Sequence, residues 1–158
     1  MVDTGEWKRL ANALRELHRT LLENARREYE REHAVALQPG ELLQLLAAPA
    51  DFAWLRSLSE LMVDIDIVHD ADLQQRDEFA AAVRGAIEQL ISNTHDPVSV
   101  FAQRYWPSVH GDPHVAMAHA AVKQLLGGWP RPVKNDTASL LHERHRLAEK
   151  ARHLVRKN

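Results

Sequence analysis

Apolar residues recur every three or four positions through the first thirty residues of the chain. The main track consists of Trp7, Leu10, Leu14, Leu17 and Leu21, and Ala25 and Tyr29 continue on a neighbouring track. This spacing places the apolar side chains on one face of an α-helix. Arginine and glutamate fill the opposite face, as they do on a helix whose outer side is solvated. The pattern predicts one long amphipathic helix over residues 4–33.

A second segment, residues 52–69, is apolar nearly all the way round a helix and is therefore expected to lie inside a bundle. Asp51 is placed to cap its start. Three polar residues of this segment, Arg56, Glu60 and Asp64, recur every fourth position and so share one narrow stripe. We interpret the stripe as a structural row of ion pairs. The alternative is a polar pocket inside the bundle, where a buried acid could transfer protons.

Caps and breaks divide the rest of the chain into further helices. The predicted segments are residues 41–47, a helix after residue 72 that ends before residue 93, an aromatic piece at 98–109 that covers one end of the bundle, a helix at 113–126 and a last helix from residue 137. Asp112 and Pro113 give a strong start signal, because Asp is a favourable N-cap and Pro suits the first helical position. With no strand pattern, the predicted fold class is all-α: an up-and-down helical bundle of about five main helices plus one or two short ones.

The length of the chain and its prolines indicate how this bundle is organised. A chain of 158 residues with 45% hydrophobic content can form one domain with one core. We assign residues 1–128 to the bundle core and residues 129–136, which contain two prolines, to a linker. Residues 137–158 are predicted to form a basic C-terminal helix that packs on the same bundle or on a second chain.

Charge is distributed unevenly, although the net charge is only −2. Residues 50–100 carry three arginines against ten acids, a net −7, and residues 123–158 carry nine lysines or arginines against three acids, a net +6. We expect the basic C-terminal helix to pack near the acidic middle of the same chain or of a second copy. Nucleic acid or an anionic surface is the alternative, which the lack of interleaved aromatic residues disfavours.

Several classes of protein are excluded or disfavoured by composition and motifs. Cysteine is absent, which excludes disulfides, thiolate metal sites and cysteine nucleophiles. The longest apolar stretch, residues 58–68, is too short to span a bilayer, and the first residues lack the features of a signal peptide, so we expect a cytoplasmic protein. Neither a Gly-x-Ser-x-Gly elbow nor a phosphate-binding glycine loop is present, and we expect no enzymatic activity.

Ten histidines make a metal site a specific hypothesis. His18, His119 and His145 each lie beside an apolar helical face, and helical bundles hold di-iron centres with inward-facing histidines and carboxylates. A site built from these three residues and a carboxylate would take iron or zinc. The alternative is that each histidine is a core residue whose ring nitrogens are satisfied by a backbone carbonyl or an acid.

Two further histidine patterns have helical spacing. Glu30–His33 and Asp66–His69 are acid-x-x-His pairs of the kind that di-iron bundles use. If their helices run antiparallel, however, the two histidines lie roughly 25–30 Å apart and cannot share a metal. The third pattern, His142 and His145, has a spacing that could bind a metal on a helix surface but is not that of a zinc protease.

Three sequence blocks carry a resemblance to a known family. They are residues 39–46, residues 52–61 with the sequence Phe-Ala-Trp-Leu-Arg-Ser-Leu-Ser-Glu-Leu, and residues 112–121. Together they resemble a family of small bacterial all-helical proteins that has no assigned function. The resemblance spans residues 7–126 and implies an all-helical bundle.

The first functional hypothesis is therefore a non-enzymatic helical bundle that acts through protein–protein contacts, with a partner protein or with itself. An exposed helix face or the C-terminal helix would make the contact. Trp54, Trp106 and Trp129 are the aromatic residues to consider as anchors, although Trp54 is expected in the core. The second hypothesis is a metal- or oxygen-binding bundle, and the third is an electrostatic binder that uses the basic C-terminal helix.

Overall fold

A computed structural model describes residues 2–47, 50–70, 77–92 and 99–132, together with positions 145, 146, 149, 150, 153 and 156. All regular secondary structure in these residues is α-helical. The helices are α1 (Thr4–His33), α2 (Pro39–Ala47), α3 (Ala50–Ala53), α4 (Arg56–Asp70), α5 (Asp77–Ile91), α6 (Val100–Gly111) and α7 (Pro113–Leu126). The prediction of an all-α helical fold is confirmed, and the predicted main helix at the C-terminus lies largely outside the described residues.

The longest helix, α1, has the bounds that the apolar periodicity predicts. A capping box starts it: the Asp3 carboxylate accepts a hydrogen bond from the Glu6 N–H at 2.8 Å, and the Glu6 carboxylate accepts one from the Asp3 N–H at 2.9 Å. The predicted apolar track is buried, with at most 1% exposure at Trp7, Leu10, Leu14, Leu17 and Leu21. This track forms the side of α1 on which the other helices pack.

Helix α4 runs antiparallel to α1. His18, in the middle of α1, contacts Ser59 near the start of α4. Arg15, which precedes His18, contacts Asp66 near the end of α4 at 3.1 Å. Pairing of earlier residues in one helix with later residues in the other requires opposite directions.

Helix α7 also runs antiparallel to α1. Arg27, in the second half of α1, contacts Asp112, which caps the start of α7. At the other end, Trp7 packs against Trp129, just beyond the end of α7. One hydrophobic core joins residues of α1, α3, α4, α5, α6 and α7. Within the described part of the chain, no helix is both long enough and apolar enough to cross a lipid bilayer.

The segment predicted as one helix over residues 52–69 is two helices, and that prediction is corrected. A turn at Trp54 and Leu55 separates α3 from α4, which begins at Arg56. The Leu55 N–H donates to the Phe52 carbonyl at 3.1 Å, a bond three residues back rather than the four of an α-helix. Both turn residues are buried, at 5% and 1% exposure. The break therefore leaves the apolar side chains in the core, which explains why periodicity does not reveal it.

The predicted linker at residues 129–136 does not begin at Trp129, because this side chain belongs to the core. It is 4% exposed, and its ring centroid lies 4.7 Å from that of Trp7. The Arg84 guanidinium donates a hydrogen bond to the Trp129 carbonyl. The core therefore continues past the glycine pair that ends α7. Residues 133–136 and most of the predicted C-terminal helix lie outside the described residues.

Candidate functional site

His18, the first of the three candidate metal ligands, is held by a hydroxyl group. It is half-buried on α1, and its Nε2 atom lies 3.0 Å from the Ser59 Oγ atom of α4. The Ser59 Oγ atom also lies 3.3 Å from the Leu55 carbonyl oxygen, and when its hydroxyl donates there it accepts from His18 Nε2–H. Burial lowers the pKa of His18 below its ordinary value, which favours the neutral ring.

His119, the second candidate ligand, is held by a phenol inside an aromatic cluster. Its Nδ1 atom lies 2.6 Å from the Tyr105 Oη atom, and the Trp106 ring packs edge-on at 5.3 Å. Burial raises the pKa of Tyr105 well above its usual range, so the phenol keeps its proton and donates it to Nδ1. Burial, together with the charge of Lys123, lowers the pKa of His119 and keeps its ring a neutral acceptor.

His145, the third candidate ligand, is exposed. Among the described residues, no group of three or more His, Cys, Asp or Glu side chains is placed to hold a metal ion. The set of His18, His119 and His145 is therefore not assembled in the part of the chain that the structure describes. The predicted pair of His142 with His145 falls partly outside the described residues.

The two acid-x-x-His pairs lie on different helices, one at the end of α1 and the other at the end of α4. His33 is the last residue of α1, in the pair with Glu30. The other pair, Asp66 and His69, is at the end of α4, where Asp66 accepts a hydrogen bond from Arg15 in the first half of α1. The distance along α1 between Arg15 and His33 is about 27 Å at the helical rise of about 1.5 Å per residue. The contact between Arg15 and Asp66 therefore places the α4 pair beside the first half of α1, away from His33 at its end.

The predicted polar stripe of α4 runs from solvent into the core. Arg56 and Glu60 are exposed, and Asp64 is buried at 7% exposure. Arg56 and Glu60 lie in the first two turns of α4, so the N-terminal part of the stripe faces water. Only the Asp64 end fits the expectation of an internal polar group.

The three tryptophans considered as anchors for a partner are packed within the protein. Trp54 is 5% exposed, as expected for a core residue, and Trp129 is 4% exposed. Trp106 is half-buried, and its indole N–H donates to the Ser92 carbonyl at 3.3 Å. An apolar surface that a partner could cover must therefore be formed by other residues.

One apolar region does remain exposed, and it surrounds α2. We name residues 35–46 the leucine segment; its apolar members are Val35, Leu37, Leu42, Leu43, Leu45 and Leu46. Leu43 is 67% exposed and Val35 is 47% exposed, and the other four are only half-buried. The remaining large exposed apolar residues of the described chain, Val63, Val100 and Met117, lie on three different helices. Single exposed apolar residues are ordinary, whereas several in one short segment indicate a contact surface.

Local hydrogen bonds bring the leucine segment out of the end of α1. Ala34 has a left-handed conformation with φ of 52°, and the Val35 N–H donates to the Glu30 carbonyl at 3.1 Å. The Glu30 carboxylate then accepts from the Leu37 N–H at 2.8 Å. Glu41, in the first turn of α2, accepts from the Gln38 N–H at 3.1 Å. These bonds satisfy the backbone of the connection between α1 and α2 without burying its apolar side chains.

The charges around the leucine segment have both signs. Arg31 and Glu32, at the end of α1, are exposed, and Glu41 is exposed on α2. The helix itself packs against the short α3, and its inner leucines contact the core. The leucine segment therefore presents an apolar centre with a polar rim, which is the usual composition of a protein contact surface.

A buried carboxylate joins α1 to the start of α7. Asp112 is 6% exposed and accepts hydrogen bonds from Arg27 at 2.7 Å, from Asn24 at 3.3 Å and from the backbone N–H of His114 at 2.9 Å. Burial alone would raise the pKa of Asp112, but these donors and the charge on Arg27 together lower it below its ordinary value. The carboxylate is thus a structural connection that holds the N-terminus of α7 against α1.

Apolar periodicity does not identify the leucine segment as an exposed surface. It predicts a short helix over residues 41–47 but not which side of that helix is covered. Four leucines within five positions, Leu42, Leu43, Leu45 and Leu46, are too many for one face of a nine-residue helix. That excess was the available signal.

Comparison with known proteins gives no relative for this chain. No protein-family model matches it, and neither a curated protein nor a solved structure is detectably similar.

Proposed function

We propose that this protein acts through protein–protein contact, and that two copies associate through the leucine segment. The observation that carries the proposal is the exposure of Leu43, at 67%, on a helix whose other leucines are only half-buried. A surface helix of a monomeric protein normally buries its apolar side and presents polar residues to water. The exposed leucine of α2 is accounted for if a second chain covers it.

Three features favour a second copy of this chain as the partner. An apolar surface is complementary to itself, which is the requirement for a two-fold symmetric contact. The rim carries both signs of charge, so Arg31 of one copy could approach Glu32 or Glu41 of the other. The net charge of −2 gives little repulsion between copies. A different protein with an exposed apolar helix is the alternative occupant.

The size of the leucine segment limits the affinity. It contributes 12 residues, residues 35–46, whereas a standard protein interface uses about 20–30 residues on each side. We therefore expect a weak dimer, with a dissociation constant on the order of micromolar or higher. A weak dimer of this kind is in equilibrium with monomer over the concentrations used in solution experiments.

Sedimentation equilibrium over a wide range of protein concentration tests the proposal. The average mass of the wild type should rise from 18.0 kDa toward twice that value as concentration increases. The Leu43→Glu variant should stay at the monomer mass, because a charge at the centre of the contact would be buried on association. The matched control is Met117→Glu, since Met117 is 70% exposed on a different helix, and this variant should associate like the wild type.

Two results would overturn the proposal. One is a wild type that remains monomeric at the highest concentration reached. The other is loss of association in Met117→Glu but not in Leu43→Glu, which would assign the contact to α7. Circular dichroism of each variant should match the wild type, because both substituted side chains are exposed.

A further inference from the structure

Two histidines join neighbouring helices through hydroxyl groups rather than through acids. The His18 Nε2 atom of α1 lies 3.0 Å from the Ser59 Oγ atom of α4, and the His119 Nδ1 atom of α7 lies 2.6 Å from the Tyr105 Oη atom of α6. Both rings are half-buried, so a charge on either would lie between packed helices. Among the other described histidines, His69 lies 3.8 Å from an acid, Asp70. The rest are exposed: His33, His110, His114, His145 and His153.

A proton on His119 would remove the hydrogen bond that this ring accepts. The Tyr105 side chain is fully buried, and its phenol donates its proton to His119 Nδ1. If Nδ1 also carried a proton, two donors would face each other across this contact. The phenol would then have to turn its proton toward the core, where a hydroxyl without an acceptor is unfavourable. The contact between α6 and α7 therefore depends on a neutral His119.

A charge on His18 would lie between α1 and α4 without a carboxylate partner. The ring contacts the Ser59 hydroxyl, which can accept a hydrogen bond but cannot balance a positive charge. The charged residues around this contact are paired with one another or exposed to water: Arg15 with Asp66, Arg19 with Glu16, and Arg56 and Glu60. The contact between α1 and α4 therefore also favours the neutral ring.

The surroundings of both rings oppose their protonation. Burial lowers the pKa of His18 and of His119, and at His119 the positive charge of Lys123 on the same helix lowers the pKa further. On α6, His110 is the other titratable residue that packs against Trp106, with ring centroids 5.7 Å apart. Its charge when protonated is also positive, so it supplies no compensation for a charge on His119.

We propose that His18 and His119 make this bundle acid-sensitive, because each ring loosens the helix contact that it joins when it gains a proton. Both contacts would weaken in mildly acidic solution, while most carboxylates are still ionised. Since the pKa of each ring is lower in the folded protein than its ordinary value of 6.5, its contribution to stability is complete above pH 6.5. That contribution is lost as the pH falls from 6.5 through the lower folded pKa.

Urea denaturation of the full chain between about pH 8 and about pH 5 tests the proposal. We expect the urea midpoint of the wild type to fall over this range. His18→Gln offers Ser59 a side-chain N–H, and His119→Asn offers Tyr105 an oxygen acceptor, but neither new side chain can gain a proton. The fall in midpoint should be smaller in each variant. It should be smallest when the two are combined, because the contacts join different pairs of helices.

Two controls separate this response from other effects of acid. His114→Gln removes an exposed histidine from the same helix as His119, and it should retain the fall seen in the wild type. A general effect of accumulating positive charge would instead be reduced by this substitution as much as by the other two. Leu43→Glu, which blocks the proposed association, should also retain the fall, because neither His18 nor His119 belongs to the leucine segment.

Proton NMR of the wild type provides a measurement that does not depend on the variants. The ring Hε1 signals of His18 and His119 should titrate below pH 6.5, the ordinary pKa of histidine.

Three results would overturn the proposal. One is a wild-type midpoint that does not change between about pH 8 and about pH 5. Another is an undiminished fall in the variant that combines His18→Gln with His119→Asn. The third is titration of both rings at or above pH 6.5. A fall that disappears in Leu43→Glu would likewise contradict it, since the response would then belong to the contact between chains.

Discussion

The outward face of α1 and the leucine segment are consecutive in the chain but meet solvent in opposite ways. On α1, Arg19 pairs with Glu16 at 2.6 Å, and Arg26 pairs with both Glu23 and Glu30. Beyond the end of α1, the exposed side chains include two large apolar ones, Val35 and Leu43. The first surface presents paired charges to water, whereas the second presents apolar side chains to water. This change within a dozen residues is why we place the contact surface at α2.

The two regions also differ in what stabilises their helices. Helix α1 has 30 residues, a capping box and a fully buried apolar track. Helix α2 has nine residues, fewer than the about 12–15 that an isolated helix needs to be even marginally stable in water. Its stability must therefore come from apolar contacts with the rest of the bundle. Any contact that a second chain makes with Leu43 adds to them.

The largest expected effect contrasts one leucine from each region. Leu14→Ala should lower the free energy of unfolding by about 2–5 kcal/mol, because Leu14 is fully buried on α1 and its removal leaves a cavity. Leu43→Ala should change it by less than about 0.5 kcal/mol in dilute solution, since that side chain is exposed. Urea denaturation at low protein concentration measures both values. If Leu43→Ala lowered the free energy of unfolding as much as Leu14→Ala does, Leu43 would be covered within the monomer.

A smaller effect is expected where Arg27, on the outward side of α1, contacts the buried Asp112. Asp112→Ala should lower the free energy of unfolding by about 1–3 kcal/mol, because it removes the cap of α7 and leaves Arg27 and Asn24 without their acceptor. Asp112→Asn should lower the free energy of unfolding by less than Asp112→Ala does, since Asn is also a good N-cap. Glu60→Gln, at an exposed acid of α4, is the control and should have little effect.

The direction in which folding stability changes with pH at this site follows from the pKa of Asp112. The pKa of Asp112 is lower in the folded protein than its ordinary value of 3.8. Its carboxylate therefore stabilises the fold fully above that ordinary value, and the contribution is lost as the pH falls through the lower folded pKa. The difference in stability between wild type and Asp112→Asn should shrink below pH 3.8. A difference that is constant across this range would assign the effect to packing alone.

The sequence predicts helices well where the chain carries explicit start and stop signals. The bounds of α7 follow from Asp112, Pro113 and the glycine pair, and those of α1 follow from an unbroken apolar track. The turn at Trp54 and Leu55 is not predictable in this way. Both residues are buried, so the apolar pattern continues through a break that only packing against other helices determines.

The environment of individual side chains depends on partners far along the chain. His18 and His119 are correctly placed beside apolar faces, but their hydroxyl partners lie 41 and 14 residues away. No local spacing indicates such pairings. Trp129 follows two glycines and precedes prolines, which is typical of a linker, yet the Arg84 side chain and the Trp7 ring hold it in the core. The exposure of Leu43 has the same origin, because it depends on which helices fail to cover α2.

The smallest effect is expected at the junction between the two regions. Ala34 has a φ of 52°, and it is the one non-glycine residue with a positive φ in the described part of the chain. A left-handed conformation is unfavourable for alanine and accessible to glycine, so Ala34→Gly should raise the free energy of unfolding by about 0.5–1 kcal/mol. Ala36→Gly, two residues on and without a positive φ, is the control. It should be neutral or slightly destabilising, because glycine there only adds freedom to the unfolded chain. Urea denaturation of both variants measures the difference, and equal effects would show that the end of α1 is not strained. Ala34→Gly could stabilise the monomer and still show the same average mass as the wild type at high protein concentration. In that case the backbone conformation at Ala34 does not affect the proposed association through Leu43.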